Sequence, residues 1–276
     1  MLDYIVTGSD GFLGNEVIKQ FSKTNLKTFF LTSKEGDILN KNFWNQLPQS
    51  KNLIHLASKT NVTESWLNIN KFVATNFMGT QLALDWCVKN QCKFIFASSS
   101  GCKNDEFNFN EVSFSNPYIL SKSFSENLIK FYVENLELDA VTFRIFNIYG
   151  SNQNENFLIP TIVKQIKNNK VIKIENITPK RDFIHVKDVA RALIRSHHLK
   201  KGYKLLDLGT EKEYSVGEVI KIAQDISGTN LKVIELNKIR KNEILKVKAD
   251  IKATKLCLNW SPCVELKEGL FELFNN

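Results

Sequence analysis

Long apolar runs are absent from this chain of 276 residues: no stretch approaches the roughly 20 consecutive apolar residues that a membrane-spanning helix needs. A membrane partner is therefore not expected. A strand-like segment, Tyr4-Ile5-Val6, begins so early that no signal peptide fits before it, and a cytoplasmic protein is expected. Paired cysteines are lacking as well. The five present, Cys87, Cys92, Cys102, Cys257 and Cys263, form no Cys-x-x-Cys and leave an odd count, which points to idle thiols rather than a disulfide framework or a zinc site. No metal is expected. There is no internal repeat, no low-complexity linker and no basic arm. The net charge of +8 comes from lysines spread along the whole chain, so nucleic acid is not the expected partner, and an anionic small substrate suits the basic balance.

What is present is ordinary globular material, 43% apolar and 24% charged, long enough for one large domain or two closely packed units. The first pattern is the strand Tyr4-Ile5-Val6, then Thr7-Gly8-Ser9-Asp10-Gly11-Phe12-Leu13-Gly14, then a helix over 15–22. Glycines three apart between a strand and a helix let the backbone turn tightly, approach a pyrophosphate and aim helix N-terminal amides at its charge. A second strand spans 27–32. At its end an acidic residue selects NAD through the ribose hydroxyls, whereas a basic one accommodates the 2′-phosphate of NADP. The chain offers Ser33 and Lys34, which lean toward NADP, with Glu35 beside them. Asp37, followed by Ile38, is placed to accept from an adenine amino group, or serves as a turn residue.

A third strand over 52–56 ends in Leu56-Ala57-Ser58, small residues suited to a dinucleotide crevice, and its His55 reads as a core histidine. An amphipathic helix is expected over 70–90, with enough bulky residues to suggest a helix-to-helix dimer surface. The fourth strand, 93–97, runs through Ala97 into Ser98-Ser99-Ser100-Gly101, at a strand end where open parallel sheets place ligands. Next comes Asn116-Pro117-Tyr118-Ile119-Leu120-Ser121-Lys122, read as the start of a helix reaching about 134. There Tyr118 and Lys122 share one face, so the ammonium is placed to favour the phenolate. A strand over 139–144 follows, after which alternation loosens. Helices are expected near 160–167, 216–226 and 264–274, strands near 171–174 and 231–235, and a strand running into a helix across 181–190.

These stretches together resemble the extended short-chain dehydrogenase/reductases that act on nucleotide-diphospho-sugars, the NAD(P)-dependent epimerase/dehydratase/reductase family. The resemblance rests on the glycine turn, His55-Leu56-Ala57-Ser58, Thr75-Asn76 with Gly79-Thr80, the serine cluster, the Tyr118 segment, Arg144-Ile145-Phe146-Asn147-Ile148-Tyr149-Gly150 and Arg181-Asp182-Phe183-Ile184-His185-Val186-Lys187-Asp188. It continues through Arg240-Lys241-Asn242-Glu243, Ala249-Asp250 and Leu258-Asn259-Trp260, and so covers nearly the whole chain.

It implies an α/β fold, a doubly wound parallel Rossmann sheet with a smaller C-terminal α/β substrate-binding lobe. The dinucleotide domain is expected over 1–150 with a return near 182–209, and the lobe over 151–181 and 210–276. It further implies Tyr118 as acid/base, Lys122 as the group that lowers its pKa and holds the nicotinamide ribose, and Ser99 as the hydroxyl orienting the substrate oxygen. Ser98 and Ser100 remain candidates for that role. Gly8, Asp10, Gly11, Phe12, Leu13, Gly14, Ser33, Lys34, Asp37, Ile38, Leu56, Ala57, Ser58, Asn76 and Ala97 are the further expected cofactor contacts. Asn147, Arg181 and Arg240 are expected on the diphosphate, since a guanidinium binds phosphate oxygens bidentately. The cofactor implied is NADP or NAD, the setting polysaccharide biosynthesis, the assembly a homodimer.

Departures narrow the reaction. Ser100 and Gly101 follow Ser99 where sugar 4,6-dehydratases carry acidic residues, which disfavours dehydration. Cys102 is one position off the cysteine of GDP-fucose-synthase-like enzymes, and 151–157 holds no histidine. The expectation is a 4-keto-6-deoxy-sugar reductase, with a nucleotide-sugar 4-epimerase as alternative and a non-catalytic dinucleotide sensor more distant.

Overall fold

The computed structural model describes residues 1–103, 114–168, 171–199, 201–237 and 245–275. They form two compact units, Met1–Ile145 with Ala190–Asp207, and Phe146–Val189 with Leu208–Asn276. The first unit runs through β1 (Leu2–Thr7), α1 (Phe12–Phe21), β2 (Thr28–Leu31), α2 (Lys41–Asn45), β3 (Ser50–His55), α3 (Val62–Leu67), α4 (Ile69–Phe72), α5 (Gly79–Asn90), β4 (Lys93–Ser99), α6 (Pro117–Asn135) and β5 (Ala140–Ile145). The second opens with β6 (Asn147–Tyr149), α7 (Leu158–Lys167), β7 (Ile172–Ile174) and β8 (Lys180–His185). Helix α8 (Val186–Arg195) leads back to β9 (Tyr203–Leu208) of the first sheet. The chain then closes with β10 (Glu213–Ser215), α9 (Val216–Ser227), β11 (Val233–Glu235), β12 (Lys246–Val247), α10 (Lys252–Leu258) and α11 (Leu266–Asn275).

The first sheet has the order β2-β1-β3-β4-β5-β9, parallel from β2 through β5. Inner strands carry runs of buried apolar residues, as in a parallel sheet covered on both faces: Tyr4, Ile5 and Val6 on β1 and Phe94, Ile95 and Phe96 on β4 are all buried. Each such side chain contributes about 1.5–3 kcal/mol. The chain moves outward from β1 to β2 and then crosses back to β3, so the order reverses between β1 and β3. Open α/β sheets bind ligands at such a switch point, beyond the carboxyl ends of the strands.

Helix α6 begins where the sequence punctuates it. Pro117 occupies the first turn and the Asn116 side chain accepts from the Ile119 amide at 3.0 Å, satisfying one orphan donor. The amphipathic stretch expected over 70–90 is helical but not uniform, since residues Val73–Met78 form a π-helical turn between α4 and α5.

The second unit has its own sheet, β10-β8-β12 with β6 also on β8, and a separate β11–β7 pair, with α7, α9 and α11 supplying a core of Ile159, Ile162, Val219, Ile220 and Leu270. The return to the first sheet, expected near 182–209, begins at 190 and ends at 207. Residues 182–185 instead pair within the second unit, where the buried Asp182 carboxylate accepts from the amides of Thr210 (2.8 Å), Glu211 (2.9 Å) and Ala249 (3.2 Å). No helix among the described residues is long and apolar enough to cross a membrane.

Candidate functional site

A cleft of about 500 Å³ opens at the switch point, lined by Gly8, Asp10, Gly11, Ser33, Asp37, Ile38, Leu56, Ala57 and Ser58 among the expected residues. Its wall is shaped by what is absent from the glycines. Gly8 has a φ of +65°, and a Cβ there would stand 2.6 Å from the Ala57 amide nitrogen. A Cβ on Gly14 would meet the Gly8 carbonyl oxygen at 2.3 Å. The glycines therefore let backbone approach backbone, and α1 starts from Gly11 with no side-chain cap. Its first-turn amides, those of Phe12, Leu13 and Gly14, have no partner within the helix, which is the arrangement that receives an anion.

Thr7, Leu31, Thr32, Gly36, Phe43 and Thr75 also line the cleft, and none was among the expected cofactor contacts. Phe43 comes from the short α2, and its ring lies 2.2 Å from where a Cβ on Gly36 would be. Lys34 is exposed and is not among the residues lining the cleft, while its neighbour Ser33 is. Glu35, by contrast, is fixed at the end of β2, accepting from the Thr32 amide at 2.7 Å and from the Thr32 hydroxyl. Those hydrogen bonds hold its carboxyl below the usual range.

Asn76, expected on the cofactor, is buried and spends its whole amide on protein. It accepts from Ser58 Oγ (3.0 Å) and the Lys59 amide (2.8 Å), and donates to the Lys59 carbonyl (2.9 Å) and Ser121 Oγ (2.9 Å). It thus pins the segment after β3 to α6 and has no hydrogen bond left for a ligand.

The Tyr118 group forms at the end of β4, the strand beside β3. Lys122 is buried; its ammonium donates to the Ala97 carbonyl at 2.8 Å and lies 4.6 Å from the centre of the Phe96 ring. Ala97 therefore serves Lys122. Burial pulls the Lys122 pKa down to about 8, opposed by Cys102 and Glu126. Tyr118 is half-buried, and burial pushes its phenol well above its ordinary value, with Cys102 adding to this and the Ser99 side chain working against it. The Lys122 ammonium is itself turned to the Ala97 carbonyl.

Consecutive strand residues face opposite ways, and this separates the serines. Ser98 is buried with its hydroxyl donating to Glu126, so it is not a substrate hydroxyl. Ser99 is half-buried and turned to Tyr118, and its Oγ accepts from the Gly101 amide at 3.2 Å. Ser100 opens a short 3-10 turn. Glu126 and Arg144, which sequence reading did not single out as site residues, form a buried bidentate pair, with Arg144 NH2 to Oε2 at 2.8 Å and Arg144 Nε to Oε1 at 3.2 Å. The spacing of Tyr118, Lys122 and Glu126 is the signal that would have found the carboxylate.

In the second unit a cleft of about 340 Å³ contains both Asn147 and Arg181, with Lys173, Asn176, Thr161 and Asn156 beside them. Arg181 donates to the Lys180 carbonyl at 2.9 Å. Arg240 lies outside the described residues.

Residues 4–209 match the sequence pattern of the NAD dependent epimerase/dehydratase family. The chain belongs to that family. This epimerase/dehydratase-family protein is 30% identical to a Methanocaldococcus jannaschii protein provisionally named UDP-glucose 4-epimerase, over 98% of this chain and 97% of that one. It is 31% identical to the UDP-glucuronate 4-epimerase of Thermodesulfobacterium geofontis, over 81% of this chain and 71% of the relative. Its fold is similar to that of the UDP-glucose 4-epimerase of Thermotoga maritima, with a TM-score of 0.89, 21% identity and coverage of 99% and 98% of the two chains.

Proposed function

We propose that this protein is an NAD(P)-dependent oxidoreductase acting at C4 of a nucleotide-diphospho-sugar, and that its reaction is net reduction of a 4-keto-6-deoxy sugar. One observation carries the reading: a glycine-walled cleft and the Tyr118, Ser99 and Lys122 set lie at the carboxyl ends of neighbouring strands of one parallel sheet. The cleft fits a dinucleotide, because Gly8 and Gly14 leave the backbone approach that any Cβ would fill. Bound there, a nicotinamide supplies or accepts the hydride.

The chain's own groups do the rest. Tyr118, kept protonated by burial, gives its proton to the C4 oxygen as reduction proceeds. Ser99 orients that oxygen from the end of β4, and Lys122, an ammonium below about pH 8, holds the nicotinamide ribose. Asn147 and Arg181 receive the diphosphate of the sugar nucleotide. No carboxylate directly follows Ser99, so nothing next to the orienting hydroxyl drives water loss.

A second reading, 4-epimerisation, draws on the names of the two relatives at 30% and 31% identity and uses the same residues. Incubation with NADPH and a panel of 4-keto-6-deoxy nucleotide sugars, followed at the nicotinamide absorbance, separates the two. Steady cofactor consumption is the expected result; interconversion of sugars without net consumption supports the epimerase. Tyr118→Phe should lower turnover by about 10²–10⁴-fold while leaving cofactor affinity nearly unchanged. Full turnover in that variant removes the proposal.

The assembly proposed is a homodimer, through exposed apolar side chains on and beside the packed helices α5 and α6, namely Met78, Phe131 and Leu136. Sedimentation as a monomer at micromolar concentration contradicts it.

A further inference from the structure

Tyr118, Lys122 and Glu126 recur every fourth position on α6, so they share one helix face. Two of them tie that face to β4 at consecutive residues. Lys122 donates to the Ala97 carbonyl, and Glu126 accepts from the Ser98 hydroxyl. The next residue, Ser99, is the hydroxyl left for Tyr118. Glu126 is in turn clamped from β5 by Arg144, whose Nε stands 3.1 Å and NH2 2.8 Å from Oε2.

The groups recorded around Lys122 come from three strands, the turn after β4 and α6 itself. From β3 comes His55, which burial pushes down to about 3 and which is neutral. From β4 come the Phe96 ring and the Ala97 carbonyl. The turn after β4 brings Cys102, whose thiol burial pushes up to about 11, so it carries no charge near neutral pH. On α6 itself Tyr118 is held protonated, and β5 brings Arg144 already engaged by Glu126. Cys102 and Glu126 both work to raise the Lys122 pKa; the thiol is protonated near neutral pH, so among the described residues the Glu126 carboxylate is the charged one of the two there.

We propose that Glu126 is a positioning residue that acts through Lys122: its carboxylate, fixed by Arg144 and Ser98, keeps the buried ammonium charged and the Tyr118 face of α6 in register with β4. This rests on the reading of Tyr118 and Lys122 given above. Arg144 has the opposite electrostatic part, since its guanidinium offsets the carboxylate's field.

The two residues can therefore be tested against each other. Glu126→Gln keeps the side-chain shape and an acceptor for Ser98 but removes the charge. The alkaline limb of kcat should move about one pH unit toward acid relative to the unaltered protein, with the KM for the sugar nucleotide little changed. Arg144→Met leaves the carboxylate unopposed and should move the limb toward alkali. The same shifts should appear without any turnover in the 13Cε resonance of Lys122 in protein carrying labelled lysine, assigned from the Lys122→Met spectrum. That readout separates failure of this inference from failure of the proposed reaction. A merely structural ion pair would lower stability in both variants and leave the Lys122 titration in place. An unmoved titration, or shifts of the same sign in both variants, overturns the proposal. Where Glu126→Gln does not fold, the alkaline shift of Arg144→Met decides alone, because loss of structure would expose Lys122 and return it above pH 10 with no cofactor binding.

Discussion

The cleft of the first unit and the cleft of the second are made of different material. The first is walled by main chain brought close through Gly8, Gly11 and Gly14, while the second presents side chains, among them Asn147, Lys173 and Arg181. A wall of backbone is damaged by adding atoms, and a wall of side chains by taking them away. Under the proposed function both face phosphate groups, so the contrast gives each a distinct mutational signature.

The largest effect is expected from Gly8→Ala. The new methyl would collide with the Ala57 amide from a residue whose φ is +65°, and both insults fall on the cleft wall. Affinity for NADH and NADPH, titrated by nicotinamide fluorescence, should fall more than about hundredfold, in line with about 3 kcal/mol of strain and misplacement. Normal binding would break the backbone half of the comparison. Arg181→Ala comes next. Loss of a charged hydrogen-bonding group costs about 1.5–3 kcal/mol, so the KM for the sugar nucleotide should rise about 10- to 100-fold with cofactor affinity unchanged. Equal loss of both ligands would dissolve the division of labour.

A third test concerns what lies beneath the first cleft. His55 is buried, bonded through Nδ1 to the Thr7 hydroxyl at 2.9 Å, and burial pushes its pKa from 6.5 to about 3. The unfolded chain takes up a proton near pH 6.5 that the folded chain refuses until about pH 3. The stability this residue contributes is therefore complete above pH 6.5 and lost as pH falls through that window, by about 2 kcal/mol at pH 5. Urea midpoints should decline from pH 7 to 5, and His55→Asn should flatten the decline. The same slope in that variant would place the acid-sensitive group elsewhere. The smallest effect is expected from Lys34→Ala. An exposed lysine changes affinity by at most a few-fold, and only NADPH should sense it. Equal loss for NADH would end the NADP preference, and no loss for either would leave the fixed Glu35 as the residue reading the ribose.

What could be read from the chain alone follows the same contrast. The glycine turn and the Tyr118-Lys122 spacing were legible because backbone geometry and helical periodicity demand particular residues at fixed intervals. The first five strands of the first sheet were legible as short apolar segments between turns, whereas Tyr203–Leu208, the sixth, was not read as a strand. The choice between Ser98 and Ser99 was not, since it depends on Glu126, which lies 28 positions from Ser98 in sequence. Phe43 was hidden in a five-residue helix too short to show a period. Asn76 was read as a ligand contact because a motif marks a position without saying which partners fill its hydrogen bonds. The stretch 181–190 read as a strand running into a helix, yet only the pairing of its strand with Asn147–Tyr149 and Glu213–Ser215 assigns it to the second sheet.

The contact between Gly36 and the Phe43 ring has a genetic consequence. The ring fills the volume that a side chain at 36 would need, so the two positions are coupled. Alanine at 36 would be costly with phenylalanine at 43 and tolerated beside a smaller residue, while shrinking 43 alone would open a hole in the wall. The two substitutions should therefore be strongly non-additive. Drift in the shape of this end of the cleft is then easier by paired exchange than by single steps at either site.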